Sequence, residues 1–262
     1  MDYFEYALFA AGFYPLHRAW SATRGSSLFA AVHWAIAAWL AFGVTLTGAV
    51  RGHPNPATLT ALCLTACAGV AVLGARRPHV GAWNFVVLAL LGAMLLPLVE
   101  SMLLGARTLD GVRIAFLAVT LAVGIVNYLP TRFGPAAALL AIGCAGELIA
   151  ILAPEPIPPG GEDHILRLCW LTAPWLALVR AAPATDADEI NVLWREFRDR
   201  WGLVWGQRVR EQFNRAAANA GWQVTLTWFG VTYRQTPDAA ARASMRDALL
   251  ALLQRFIRVE KK

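Results

Sequence analysis

Apolar residues are grouped in six long stretches between residues 28 and 182, and short polar segments separate them. Each stretch has roughly the ~20 residues that an α-helix needs to cross the hydrocarbon core of a bilayer. The pattern therefore predicts an α-helical polytopic membrane protein with six transmembrane helices in a domain of residues 28–183. The predicted spans are residues 28–50, 57–74, 82–104, 111–130, 134–153 and 165–182.

After residue 183 the pattern changes to that of a small extramembrane domain. Ile190, Trp194, Phe197 and Trp201 recur at helical spacing, with charged residues between them. Residues 222–228 then alternate between apolar and polar, which predicts a strand with one buried face, and residues 229–235 can return as a second strand. A last helix is predicted after Asp238. Residues 184–262 are thus predicted to form a cytoplasmic α+β domain.

The N-terminal segment, residues 1–27, is rich in aromatic residues but also contains Pro15, His17 and Arg18. It lacks the positively charged start of a secretory signal. Its uninterrupted apolar run is too short to span a bilayer. We expect an interfacial helix whose aromatic side chains lie at the depth of the lipid headgroups. The alternative is a segment that is half inserted or that contacts a partner protein.

Composition and charge agree with a membrane location and predict an orientation. Apolar residues make up 58% of the chain and charged residues 15%, whereas soluble domains carry roughly 25% charged residues. The net charge of +6 divides into +2 for residues 1–183 and +4 for the rest. The segments on one side hold Arg18, Arg24, Arg76, Arg77, Arg132 and the basic C-terminal domain. Because Lys and Arg favour the cytoplasmic side, we expect both termini inside, in the cytoplasmic (inner) membrane.

Two carboxylates, Glu100 and Glu147, lie inside predicted spans, where a charge is expensive. On the predicted threading, Arg113, His164 and Arg167 lie at the same outer level. One interpretation is a polar cavity in which these five residues bind a proton, a cation or a polar ligand. The other is that each acid is neutralised by an arginine and that the pairs tie helices together.

The C-terminal domain offers candidates for contacts with partners. Tryptophan and arginine are common anchors in protein interfaces, and basic residues near a membrane attract anionic lipid. The candidates are Trp194, Trp201, Trp205, Arg195 and Arg198. The alternative is that the tryptophans fill a small core and attach it to the membrane domain. We expect the bilayer, anionic headgroups and other protein subunits as partners, and no nucleic acid.

The sequence contains no motif for nucleotide binding, metal-dependent hydrolysis or a nucleophilic serine. All four cysteines lie within apolar runs, where packing is the expected role. We therefore expect no catalytic residue, no metal ligand and no cofactor. The leading hypothesis is a non-enzymatic subunit or scaffold of a membrane assembly. The alternative is a small-solute or proton-coupled transporter that uses the intramembrane carboxylates, and the third is an intramembrane enzyme.

Overall fold

The computed structural model describes residues 2–47, 56–76, 80–104, 110–152, 161–182 and 186–256. Within these ranges the chain forms ten α-helices and one two-stranded sheet. The elements in chain order are α1 (Asp2–Ala11), α2 (Phe13–Thr23), α3 (Phe29–Leu46), α4 (Pro56–Leu73), α5 (Val80–Leu104), α6 (Gly111–Val126), α7 (Gly134–Leu152), α8 (Gly161–Arg180), α9 (Glu189–Asn219), β1 (Val224–Leu226), β2 (Val231–Tyr233) and α10 (Ala239–Leu253).

Helices α3 to α8 form a bundle and coincide with the six predicted apolar spans. Four of them, α3, α4, α5 and α7, are long and apolar enough to cross a membrane. Helix α6 is apolar but has 16 residues, and α8 carries charged residues in its first two turns. The fold is therefore compatible with a multi-pass membrane protein.

Helix α4 lies at the centre of the bundle, between α3, α5 and α6. Small side chains make this possible, since they allow neighbouring helix backbones to approach closely. Gly69 of α4 faces Gly124 of α6 so closely that a Cβ on either glycine would meet the other backbone. Cys63 and Cys67 are fully buried on the same helix, in agreement with the packing role expected for them.

The N-terminal segment packs against the bundle. Helices α1 and α2 run antiparallel to α3 along its length. Near one end the Tyr6 hydroxyl donates to the carbonyl of Leu46 at 2.7 Å. In the middle the ring of Phe9 stacks on Trp39 with centroids 5.4 Å apart. Near the other end the ring of Trp20 lies 6.1 Å from that of Phe29.

The same segment also runs parallel to α8. Glu5 contacts His164 at the start of α8, and the ring of Tyr14 stacks on Trp175 near its end. The inward-facing positions recur every three or four residues, at 5, 8, 9, 12, 15, 16 and 20. A search for long apolar runs misses this stripe, because Glu5, His17 and Arg18 interrupt the apolar run of the segment.

The C-terminal domain, which we call the tail domain, packs on the end of the bundle where α4, α6 and α8 finish. Helix α9 begins at Asp188, whose carboxylate accepts from the amide of Ile190. Strands β1 and β2 are antiparallel, with Val224 opposite Tyr233. The small α+β domain predicted for this region is present over residues 186–256. We call the end of the bundle that contacts the tail domain the tail end. The opposite end of the bundle, which holds Glu5, is called the far end. Helix α1 therefore begins at the far end, and the described part of the tail domain lies at the tail end.

Candidate functional site

At the far end of the bundle, Glu100 and Arg113 form an ion pair between α5 and α6. The Arg113 guanidinium donates to both carboxylate oxygens, at 2.6 and 3.3 Å. The backbone amide of Arg113 is itself held by the N-cap residue Asp110 at 2.8 Å. Two hydrogen bonds between a guanidinium and a carboxylate fix their relative orientation as well as neutralising the carboxylate charge. Glu100 thus ties two helices together, as in the second interpretation of the intramembrane acids.

His164 and Arg167 lie at the same end but contact a different acid, Glu5 of α1. Nδ1 of His164 is 2.7 Å from Oε1 of Glu5, and Arg167 is 3.7 Å from Oε2. The Glu5 side chain is 5% exposed, whereas those of His164 and Arg167 are 26% and 32% exposed. Burial of a carboxylate is tolerated when it is paired. This cluster fixes the start of α1 to the start of α8.

Four of the five residues predicted to share one site are therefore divided between two pairings, each of which contains an acid. Glu147 is half-buried on α7, whose neighbouring Gly143 and Gly146 pack against Trp170 and Leu166 of α8. Sequence reasoning missed Glu5, because it treated the segment as interfacial. The available signal was its position one turn before Leu8 and Phe9 on a single helical stripe.

At the tail end, Asn127 is inserted into a break in helix α9. Its backbone carbonyl accepts from the amide of Leu203 at 2.7 Å, and its side-chain oxygen accepts from the amide of Val204 at 2.9 Å. Its side-chain nitrogen donates to the carbonyl of Trp201 at 3.3 Å. Asn127 is 2% exposed. A residue at the end of α6 thus satisfies backbone groups that a helix break would leave without partners.

Gly202 makes this insertion possible. Its φ of 77° and ψ of −166° lie in a region that essentially only glycine adopts. A Cβ at residue 202 would overlap the side chain of Asn127. The break in α9 therefore depends both on the backbone freedom of glycine and on the space left by its missing side chain. We call Asn127 and residues 201–204 the docking joint.

Two tryptophans extend the docking joint to other bundle helices. The indole of Trp201 donates to the hydroxyl of Ser27 at 3.1 Å, and that hydroxyl donates to the carbonyl of Ala75 at 2.7 Å. The indole of Trp205 donates to the carbonyl of Val72 at 3.0 Å. Phe256 packs edge-on against both indole rings. The Val72 carbonyl thus accepts from both the Ala75 amide and Trp205, and the Ala75 carbonyl, beyond the end of α4, accepts from the Ser27 hydroxyl that Trp201 contacts.

A buried charge cluster completes the contact between the two domains. Asp199 is 2% exposed. Its carboxylate binds the Arg198 guanidinium at 2.7 and 2.9 Å and lies 3.5 Å from that of Arg132, in the turn between α6 and α7. Arg132 also donates to the carbonyl of Ala182, beyond the end of α8, at 2.6 Å. The buried carboxylate is therefore paired from both domains.

The tryptophan and arginine candidates for partner contact lie largely inside the protein. Trp194, Trp201 and Trp205 are at most 6% exposed, so they cannot form an exposed docking surface. Arg198 donates to the carbonyl of Trp228, and Arg195 donates to that of Phe229. The three tryptophans fill the core of the tail domain and attach it to the bundle, because a domain this small needs most of its large apolar residues to build a core. The Arg195 side chain is 35% exposed.

The start of α9 is also fixed electrostatically. The amide of Asp188 donates to the carboxylate of Asp186, which lowers the pKa of Asp186, and Arg195 acts in the same direction. Burial, together with the hydrogen bond from the Tyr233 hydroxyl to Asp188, raises the pKa of Tyr233 to about 12. Ionised Asp186 and neutral Tyr233 are thus the forms that the native contacts stabilise near neutral pH.

The described residues contain no group of three or more His, Cys, Asp or Glu side chains placed to hold a metal ion. The best-defined site is the docking joint, and its chemistry is that of helix capping, indole hydrogen bonds and a paired buried carboxylate. Comparison with protein-family models, with curated proteins and with solved structures finds no match for this chain.

Proposed function

We propose that the protein is an integral membrane subunit or scaffold of a larger membrane assembly. In this role the bundle sets the position in the bilayer and the tail domain presents a fixed cytoplasmic surface. The observation that carries the proposal is the docking joint. Three polar groups of Asn127 are all used to hold α9, and two buried indoles bind bundle residues. Such a connection favours a constant relation between membrane and cytoplasmic surface over a flexible linkage.

We infer that the chain crosses the cytoplasmic membrane seven times, with the tail domain inside and the N-terminus outside. Residues 2–23 are long enough, at 1.5 Å per residue, to cover about 30 Å. Their contacts with α3 and α8 extend along both helices. Arg24, Arg76 and Arg132 all lie toward the tail end, so the excess of positive charge still favours that side as cytoplasmic.

The polar pairs at the far end support a structural role better than a transport role. Glu100 is held at two points by Arg113, and Glu5 is held by His164 and Arg167. A carboxylate that binds a proton or a cation during transport must exchange partners, whereas these contacts tie α5 to α6 and α1 to α8. The pairs therefore support a rigid bundle.

Labelling of single introduced cysteines tests the seven crossings. Tyr3→Cys and Ala240→Cys place thiols at exposed positions near the N-terminus and at the start of α10. In sealed vesicles, a membrane-impermeant maleimide should label the two positions from opposite sides, because an odd number of crossings separates them. Labelling of both from the same side would contradict the arrangement. The unsubstituted protein supplies the background from the native cysteines.

Native mass measurement after gentle detergent extraction tests the scaffold proposal. We expect the chain to leave the membrane in a particle whose protein mass exceeds the 28.4 kDa of one copy. The reason is that a scaffold works through stable contacts with other subunits or with further copies of itself. A population consisting of single chains, in a detergent that preserves known membrane complexes of the same cells, would contradict the proposal.

A further inference from the structure

The described surface of the tail domain exposes one large apolar side chain strongly. Among the described residues 186–256, Phe229 is the large apolar side chain that is strongly exposed, at 78%. The other strongly exposed large apolar residues belong to the helices before residue 183, where the proposed bilayer would cover them. A single exposed apolar residue is common on proteins. What distinguishes Phe229 is its place in the fold.

Phe229 lies at the tip of the hairpin between β1 and β2, and this tip is fixed to the end of the bundle. The indole of its neighbour Trp228 donates to the carbonyl of Pro130 at 2.9 Å. Pro130 belongs to the turn between α6 and α7, next to Leu129, which is itself 45% exposed. The hairpin tip is thus at the level where two membrane helices end.

The backbone of the tip is also held from within the tail domain. Arg195 donates to the carbonyl of Phe229 at 3.1 Å, and Arg198 donates to that of Trp228 at 2.8 Å. These two bonds and the indole bond to Pro130 fix the peptide groups, while the Phe229 ring remains exposed. The ring is therefore presented at a fixed height relative to the ends of α6 and α7.

We propose that the Phe229 ring inserts into the interfacial layer of the bilayer at the tail end, so that the hairpin tip is a membrane contact of the tail domain. This inference rests on the proposed membrane location of the bundle. Aromatic rings are favoured at headgroup depth, where an apolar ring meets the edge of the acyl chains. Arg200 also lies at this level, because its carbonyl accepts from the Tyr128 hydroxyl. Its side chain is 44% exposed and lies 4.0 Å from the carboxylate of Glu196, and a basic group at this depth favours anionic headgroups.

Spin labelling of the full-length protein in liposomes tests this contact. A nitroxide is attached to Phe229→Cys, and its collision rates are measured with oxygen, which concentrates in the bilayer, and with a water-soluble nickel complex. Two control positions are measured in the same way. Leu88→Cys lies on the exposed face of α5, and Ala240→Cys lies on the exposed start of α10. Unsubstituted protein corrects for labelling of the four native cysteines.

We expect the oxygen-to-nickel ratio at residue 229 to be several-fold higher than at residue 240 and lower than at residue 88. A ratio at residue 229 equal to that at residue 240, with a high ratio at residue 88, would overturn the hairpin contact and leave the membrane location intact. Low collision rates with both reagents at residue 229 would also overturn it, because they indicate a protein partner. A low ratio at residue 88 would instead contradict the proposed membrane location itself.

Discussion

Gly202→Ala is expected to release the tail domain from the bundle. Alanine cannot adopt the φ and ψ of this residue without strain, which costs on the order of 1–3 kcal/mol, and its Cβ would overlap the side chain of Asn127. We expect a fall in the midpoint of thermal unfolding by several degrees, together with protease cleavage of α9 near the break. The measurement is limited proteolysis of the full chain in detergent, followed by mass spectrometry of the fragments.

Gly221→Ala is the matched control for this substitution. Gly221 also has a positive φ, of 68°, but a Cβ there would meet open space. It should therefore cause backbone strain alone, and α9 should stay resistant to protease at the break. If Gly202→Ala and Gly221→Ala gave the same cleavage pattern and the same thermal shift, the role assigned to the Asn127 contact would be contradicted.

Trp201→Ala is expected to destabilise the contact between the domains by about 3–5 kcal/mol, the range for removal of a buried tryptophan side chain. The ring is 1% exposed, stacks on Phe197 and contacts Phe256. Its loss leaves a cavity between α9, α10 and the start of α3, and it removes the hydrogen bond to Ser27. Chemical denaturation in mixed micelles, followed by the fluorescence of the remaining tryptophans, measures the change in the free energy of unfolding.

Two further variants separate packing from hydrogen bonding at this position. Trp201→Phe keeps most of the ring volume and loses the indole donor, so we expect a smaller loss, about 1–2 kcal/mol. Trp222→Ala removes a partly buried indole of the tail domain that packs on Phe213. Trp222→Ala should destabilise the tail domain and leave residue 27 covered. Each alanine substitution is therefore combined with Ser27→Cys, and the rate of thiol labelling at residue 27 should rise with Trp201→Ala only. Equal labelling rates in the two combinations would show that Trp201 has no special part in docking.

The bundle was accessible to sequence reasoning because lipid imposes one strong constraint, a run of apolar residues as long as the membrane is thick. The limits of α4, α5 and α7 fall within two residues of the predicted ones. The sequence also predicts a cap at Asp186 or Asp188 and one at Asp238, and Asp188 and Asp238 cap the two helices, because a short carboxylate before a helix satisfies amides locally. In each case the signal lies within a few residues of the element it defines.

The remaining features depend on contacts between residues far apart in the chain. Asn127 reads as an ordinary polar residue at the end of an apolar helix, yet its partners begin 74 residues later. Glu5 pairs with His164 across 159 residues. Trp194, Trp201 and Trp205 were candidates for an exposed surface, because composition alone does not tell which side of a helix a bundle will cover. The candidate site was therefore predictable in its residue types but not in its pairings.

Amide hydrogen exchange at Leu203 and Val204, resolved to single residues in the intact protein, tests the docking joint most directly. These amides start a helical segment, where an isolated helix leaves its first amides open to water. Because Asn127 accepts from both, we expect exchange as slow as in the middle of α9. In Asn127→Ala we expect fast exchange at Val204, which loses its side-chain acceptor, and slower exchange at Leu203, whose acceptor is the backbone carbonyl that alanine keeps. Fast exchange of the two amides in the unsubstituted protein would show that the bundle does not hold α9, and the account would fail.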